Sequence, residues 1–195
     1  MAPVFYMTNL LSYAAKLEKA SGKGLPPVHK WNPEFCGDID LVIKRDGSWF
    51  HEGTPIGRAR LVRLFSTVLK REGSEHFLVT PVEKLKITVE DAPFVGVLMD
   101  VDGKGEAQAL CFTSNVGDEA VAGPDHKLVF RKDPETGEGA PYLDMRAGLE
   151  ARIARAVFYD LVELGERRQM NGVEMFGVWS GGVFFPFGPA DEVFE

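Results

Sequence analysis

A chain of 195 residues, of which 45% are hydrophobic and 26% charged, has the composition of a folded globular protein and not of a disordered one. Its length fits one large domain or two small ones. A net charge of −7 argues against broad binding to nucleic acid or to an anionic membrane, because both require a positive field.

The N-terminal segment predicts a short amphipathic helix over residues 8–20. Lys16, Glu18 and Lys19 interrupt its apolar residues, and no basic start precedes them, so we expect neither a signal peptide nor a membrane span. The only cysteines, Cys36 and Cys111, are far apart, and we expect both to be reduced. These features predict a soluble cytoplasmic protein.

After a Gly- and Pro-rich connector over residues 21–37, the sequence predicts a β-hairpin. Its strands cover residues 39–45 and 48–51, and Asp46-Gly47 forms the turn. The clearest predicted helix follows, with Thr54 as N-cap, Pro55 at the first helical position and Gly73 after its end. Apolar residues recur along this segment at helical spacing.

The second half of the chain predicts mostly strands. Residues 84–90 alternate between apolar and polar, and two apolar segments, 95–101 and 107–113, flank a turn at 102–105. A strand over 126–132 and a loop over 133–141 lead to a second helix over 147–164, which Gly165 closes. Two Phe-rich strands around Gly181-Gly182 end the chain.

An internal similarity raises the question of a duplication. Residues 47–65 align without gaps on residues 139–157, and ARLVR faces ARIAR. Both segments predict a turn, an aromatic strand and a helix. Because ARxxR on two amphipathic helices also arises by chance, duplication and coincidence both stay open.

Motifs of common active sites are absent from the sequence, which contains no phosphate-binding loop, HExxH or GxSxG. The four histidines lack metal-ligand spacing, so we expect no metal and no cofactor. The segment 100–106 resembles a calcium loop only superficially, since Lys104 and Cys111 replace required ligands, and we favour a plain hairpin turn. Asp160 is either a buried carboxylate of raised pKa or, as we favour, a structural partner of an arginine.

The arginines of the first long helix predict a binding site for an anion. Arg58 is expected in the first turn, where the helix dipole disfavours a cation unless an anion offsets it. The aromatic ring of Trp49, near these arginines in the sequence, would suit stacking with a ring of the ligand. The alternative is a solvated basic face with Trp49 in the core. The candidate ligand-binding residues are Trp49, His51, Thr54, Arg58, Arg60 and Arg63.

The segments GDID, DGxWFxxGTPI, LVRLFSxVLxRE, LVTPVEK and VEDAPF resemble a bacterial family named domain of unknown function 1285. The resemblance is close over residues 26–94 and weaker beyond. It implies a small two-domain α+β protein with repeated motifs, a cleft between its halves, and a signalling or ligand-sensing role. It implies no catalytic residue.

We therefore predict an α+β protein of two small domains with related turn-strand-helix motifs. Residues 1–25 form a helical lead-in, 26–92 an N-terminal α+β domain, and 93–195 a β-rich, barrel-like domain with one long helix. The predicted function is that of a non-catalytic binding or signalling module, which takes an anionic small molecule, such as a nucleotide-like one, in the interdomain cleft. The alternatives are a hydrolase that uses a cleft carboxylate or His51, and a protein-interaction adaptor. The oligomeric state stays open.

Overall fold

The structure, a computed structural model, describes residues 24–132, 137 and 139–192, together with Ala14 and Leu17. The helix predicted over 8–20 lies outside the described residues except for these two, which are helical and buried. Most of the loop predicted over 133–141 also lies outside them. Of the helices within the described ranges, none has the length and apolar character needed to cross a membrane.

The chain forms two domains, which are mostly β-structure. The N-terminal domain contains the described residues up to Lys44 and residues 48–89, and the second domain contains residues 45–47 and 90–195. The three residues at the tip of the first hairpin therefore belong to the second domain.

A six-stranded sheet with one α-helix makes up most of the N-terminal domain. Its strand order is β3-β2-β1-β6-β5-β4, and β1 and β6 pair in parallel while their neighbours pair antiparallel. Leu41, Ile43 and Leu78 are fully buried in its core. The elements are β1 (Phe35–Ile43), β2 (Trp49–His51), β3 (Thr54–Pro55), α1 (Ala59–Ser66), β4 (Leu69–Glu72), β5 (Glu75–Val79) and β6 (Lys84–Val89), preceded by a 3-10 turn at Val28–Lys30.

The second domain contains a six-stranded sheet of order β10-β11-β12-β7-β8-β9 and a three-stranded sheet of order β13-β14-β15. The central strands β7 and β12 again pair in parallel. Its elements are β7 (Phe94–Asp102), β8 (Ala109–Ser114), β9 (Glu119–Val121), β10 (Leu128–Lys132), β11 (Gly139–Arg146), β12 (Leu149–Ile153), α2 (Arg155–Glu163), β13 (Glu166–Met170), β14 (Val173–Ser180) and β15 (Val183–Pro189), with a 3-10 turn at Gly105–Ala107.

The barrel-like prediction for the second domain holds only in part. Among the residues that the structure describes, its six-stranded sheet is open, with β10 and β9 as edges, and the fold contains a curled half-barrel sheet. Buried polar groups join the two sheets of this domain. The Ser180 hydroxyl accepts from the Leu110 amide at 2.9 Å and donates to the Ala122 carbonyl at 2.7 Å, and the Gln108 amide donates to the Trp179 carbonyl at 2.8 Å.

The two six-stranded sheets share one topology. In each sheet, the strands that come first and last along the chain lie side by side at the centre as a parallel pair. The remaining strands extend from this pair toward the two edges as antiparallel meanders. The sequence match of residues 47–65 with 139–157 does not follow this equivalence. It places β2 and β3 opposite β11 and the turn after it, and it places α1 opposite β12 and the start of α2. The two domains therefore repeat a strand order. The strands that correspond in this order are not the ones that the sequence similarity aligns.

The first predicted helix is shorter than its apolar spacing indicates. Thr54 belongs to β3, where it pairs with His51, and α1 begins at Ala59 with Arg58 as N-cap. The helix ends where the Ser66 and Thr67 hydroxyls donate to the carbonyls of Arg63 and Leu64 at 2.7 and 2.6 Å. Residues 69–72 then pair with β5 instead of continuing the helix. The prediction that Thr54 is the N-cap is wrong.

The second predicted helix begins too early. Residues 149–153 form β12, and its alternating burial, with Leu149, Ala151 and Ile153 inside, follows a period of two. Pairing with β11 and β7 on both sides overrides the helical propensity of this segment. Helix α2 covers only the second half of the prediction.

Candidate functional site

A pocket of about 490 Å³ lies in the second domain, at the carboxyl end of the parallel strand β12, where the chain passes into α2. Ligand sites are common at this position in sheets with parallel strands because the helix N-terminus and the strand end converge there. The residues that line the pocket are Arg45, Val95, Gly139, Ala140, Pro141, Arg152, Ile153, Ala154, Arg155, Phe158 and Tyr159.

Of the lining residues that the structure describes, three are arginines, Arg45, Arg152 and Arg155, and none is an aspartate or glutamate. Arginine presents a planar fork of donors that matches carboxylate and phosphate oxygens. The described lining therefore combines three cationic side chains, of which Arg152 is paired with the Asp91 carboxylate.

Arg152 is positioned by an acidic residue behind the pocket. Its Nε atom lies 3.5 Å from Oδ2 of Asp91, a carboxylate that is only 8% exposed. The Tyr142 hydroxyl donates to the same carboxylate at 3.0 and 3.1 Å. Burial raises the pKa of Tyr142, and the Asp91 carboxylate raises it further, so the phenol stays neutral and holds Asp91 in place.

Arg45 enters the site from the tip of the β1–β2 hairpin, and two side chains hold that tip. The Asn115 amide donates from Nδ2 to the Gly47 carbonyl at 3.3 Å and accepts at Oδ1 from the Val95 amide at 3.0 Å. The Arg45 backbone amide donates to Oε2 of Glu90 at 3.0 Å. The loop that carries Arg45 is therefore bound to the strand that lines the pocket.

Arg155 lies in the first turn of α2. Its Nε donates to the Tyr159 hydroxyl at 2.9 Å, one turn further along the helix. The N-cap residue is Ala154, which has no capping side chain, and no acidic residue lies in the first turn. The helix dipole is thus not offset from within α2 and adds to the positive potential of the three arginines.

An aromatic cluster fixes the wall of the pocket. The ring of Phe158 lies 5.7 Å from that of Phe130 and 6.1 Å from that of Phe187. Gly139, which also lines the pocket, has no room for a Cβ because the Phe130 ring occupies that position. Gly165, after α2, is similarly restricted by the Phe176 ring. Close packing of aromatic rings against glycines thus sets the position of α2.

The structure places the residues predicted from the sequence elsewhere, in the N-terminal domain. Trp49 is 1% exposed and its indole stacks on Phe65, with ring centroids 6.4 Å apart. His51 is half-buried in β2 and Thr54 is exposed in β3. The Trp49 ring therefore belongs to the core, as the alternative interpretation has it.

The three predicted arginines, Arg58, Arg60 and Arg63, are exposed along α1. Arg58 precedes the helix as its N-cap, so the prediction that it lies in the first turn is wrong. None of the six predicted residues lines the pocket described above. Their role in ligand binding, and the predicted cleft between the domains, stay predictions.

Asp160 is exposed on α2, so it is not a buried carboxylate. Residues 102–105 connect β7 to the 3-10 turn before β8, as expected for a hairpin. Among the residues that the structure describes, no three His, Cys, Asp or Glu side chains form a group that could hold a metal ion.

Sequence reasoning missed the pocket because its arginines lie in segments assigned to other elements. Arg152 and Arg155 were both placed inside one long helix, although they lie on either side of a strand-to-helix junction. Arg45 was assigned to a strand instead of a hairpin tip. The alternation of apolar and charged residues over 149–153, LEARI, is the sequence signal that indicates a strand before this junction.

Comparison with known proteins follows the same division of the chain. A model of the N-terminal domain of a domain of unknown function, DUF1285, matches residues 26–92, and a model of the C-terminal domain of the DUF1285 proteins matches residues 93–187. The chain belongs to the DUF1285 family. The resemblance of its motifs to this family is thus confirmed.

Two solved members of DUF1285 are similar to this chain. A crystal structure from Silicibacter pomeroyi DSS-3 shares 50% sequence identity, with a TM-score of 0.90, and the match covers 97% of this chain and 100% of that one. A crystal structure from Shewanella baltica OS155 shares 26% identity, with a TM-score of 0.49, over 63% of this chain and 90% of that one. No curated protein matches the sequence.

Proposed function

We propose that the protein is a binding module that takes a small anionic molecule in the pocket of the second domain. The observation that carries this proposal is the part of the pocket lining that the structure describes, which includes three arginines and no acidic side chain. A ligand with carboxylate or phosphate oxygens would form charge-assisted hydrogen bonds with these guanidinium groups, which are stronger than neutral ones.

Binding is favoured over catalysis because the lining lacks the usual reactive groups. Among the described lining residues there is no His, Cys, Ser, Thr, Lys, Asp or Glu, and Tyr159 is the only one besides the arginines with an ionisable side chain. A hydrolase would need a nucleophile or a general base within reach of its substrate. The signalling role that the family resemblance implies is compatible with reversible binding of this kind.

The test is calorimetric titration of the full chain with inorganic phosphate, pyrophosphate and malonate. We expect at least one of these anions to bind, and its affinity to fall as salt rises, since the pocket's cations are screened. Arg45→Gln and Arg155→Gln should each weaken binding about tenfold or more, because each removes a charge-assisted hydrogen bond.

Arg167→Gln is the matched control. Arg167 is an exposed arginine of the same domain, paired with Glu174 at 3.1 Å, and it does not line the pocket. Equal losses in all three variants would attribute binding to overall charge and contradict the proposal. Loss in Arg58→Gln with none in the pocket variants would transfer the site to α1. Consumption of the ligand over time would favour the hydrolase.

A further inference from the structure

The lining of the pocket is only partly cationic. The lining also includes apolar side chains that are only partly buried, Val95 and Phe158. A bare inorganic anion would engage the arginines and leave this apolar surface in contact with water. Burying apolar surface contributes roughly 25 cal/mol per Å², so a ligand with an apolar part would gain affinity that an inorganic anion cannot.

The volume of the pocket leads to the same conclusion. A pocket of about 490 Å³ lies within the roughly 300–1,000 Å³ range of sites for organic ligands. It is many times the volume of about 30 Å³ that one water molecule occupies in the liquid. The pocket is therefore large enough for an anionic group together with a ring.

Tyr159 supplies a surface on which such a ring could stack. Its side chain lines the pocket yet remains 55% exposed. The Arg155 Nε donates to its hydroxyl, so the orientation of the ring is restrained by one of the anion-binding arginines. An exposed aromatic ring held beside cationic groups is suited to offset stacking with a flat, electron-rich ring.

We infer that the ligand is a bipartite organic anion, in which a planar ring carries a terminal phosphate or carboxylate group. This inference rests on the proposed function and specifies its ligand class. The anionic group lies among the arginines, and the ring lies against Tyr159 and the apolar lining. A nucleoside monophosphate and an aromatic carboxylate both have this chemistry.

The experiment compares pairs of ligands that differ only in the ring. Phenyl phosphate is titrated against methyl phosphate, and benzoate against acetate, into the full chain. Adenosine 5′-monophosphate against ribose 5-phosphate then distinguishes a nucleotide from a simple aromatic anion. We expect phenyl phosphate to bind about tenfold more tightly than methyl phosphate, the scale of one aromatic stacking contact.

Variants assign the effect to Tyr159. Tyr159→Ala should reduce the phenyl-to-methyl affinity ratio to near one, whereas Tyr159→Phe, which keeps the ring, should preserve it. Val121→Ala is the control, because Val121 is an exposed apolar residue of β9, 43% accessible, outside the pocket lining. Thermal unfolding of each variant checks that it is folded.

The outcomes separate this inference from the proposed function. Equal affinities for phenyl and methyl phosphate in the wild type, or an unchanged ratio in Tyr159→Ala, would overturn the bipartite ligand while anion binding stands. Absence of binding by every phosphate and carboxylate would overturn the proposed function, and this inference with it.

Discussion

Gly47 lies two residues after Arg45 in the loop that brings this arginine to the pocket. Its φ angle of +83° lies in the left-handed region, and a Cβ built there would lie 2.6 Å from Nδ2 of Asn115 and 2.9 Å from Cγ2 of Val95. Asn115 could move only by giving up its hydrogen bonds to Gly47 and Val95. A side chain at position 47 would thus disturb the loop that carries Arg45.

We expect Gly47→Ala to lower the free energy of unfolding by about 3 kcal/mol. Roughly 1 kcal/mol comes from placing Ala in the left-handed region and roughly 2 kcal/mol from overpacking. The matched control is Gly53→Ala, where φ is +72° but no atom lies within 4 Å of the added Cβ. Urea denaturation measures both variants. Equal losses in the two would contradict the steric part of the argument.

At the scale of elements, the start of α1 depends on tertiary pairing more than on its capping residues. Thr54 has a suitable side chain and Pro55 follows it, but both pair with β2 as strand β3. Arg58 occupies the N-cap position with an extended backbone, φ −91° and ψ 100°, and makes no side-chain capping bond. The true helix start is therefore poorly capped.

Substitutions at these two positions test where the helix begins. Thr54→Ala should change the free energy of unfolding by no more than about 0.5 kcal/mol, as for an ordinary surface residue. Arg58→Ser should raise it by about 0.5–1 kcal/mol, because a serine hydroxyl at the N-cap can accept from a first-turn amide. Chemical denaturation measures both. A loss near 1 kcal/mol in Thr54→Ala would restore Thr54 as the cap.

At the scale of the whole molecule, the two domains share a strand order but differ in where a helix follows it. In the second domain the last strand of the sheet, β12, leads directly into α2, and the pocket lies at that junction. In the N-terminal domain the last strand, β6, is followed by the start of the second domain, and α1 lies between the third and fourth strands instead. The two domains thus have their helices at different points of the same strand order.

The two cysteine thiols, one in each domain, differ in exposure and in reactivity. Both cysteines are free, with Cys36 exposed in the N-terminal domain and Cys111 half-buried in the second. Burial raises the pKa of the Cys111 thiol, and the carboxylates of Glu119 and Asp100 raise it further. Because the thiolate is the reactive form, Cys111 is the less reactive of the two at neutral pH.

Thiol labelling of the native protein at pH 7 should therefore show a fast reaction at Cys36 and a slow one at Cys111. Cys111→Ser should abolish the slow phase and keep the fast one, and raising the pH should accelerate the slow phase. After unfolding, two thiols should react whether or not the protein was first reduced. A mobility shift on reduction would show instead that the cysteines form a disulfide.

Local sequence patterns were sufficient for the features that depend on neighbouring residues. The Asp46-Gly47 turn, the alternation that makes β6 a half-buried strand, and the hairpin of β7 and β8 agree with the structure, because each follows from turn chemistry or side-chain period within one segment. The family motifs likewise identified the DUF1285 membership.

Features that depend on distant segments could not be inferred in this way. Residues 69–72 and 149–153 have helical spacing or propensity, yet both become strands because strand partners satisfy their backbone groups. Strand β4 pairs with β5, the next strand along the chain, and β12 pairs with its neighbour β11 and with the distant β7. The pocket depends on the same pairing, which brings Arg152 and Arg155 together with Arg45, more than a hundred positions earlier in the chain. No local period encodes that proximity, since it arises only when β7 and β12 pair and the hairpin tip joins the second domain.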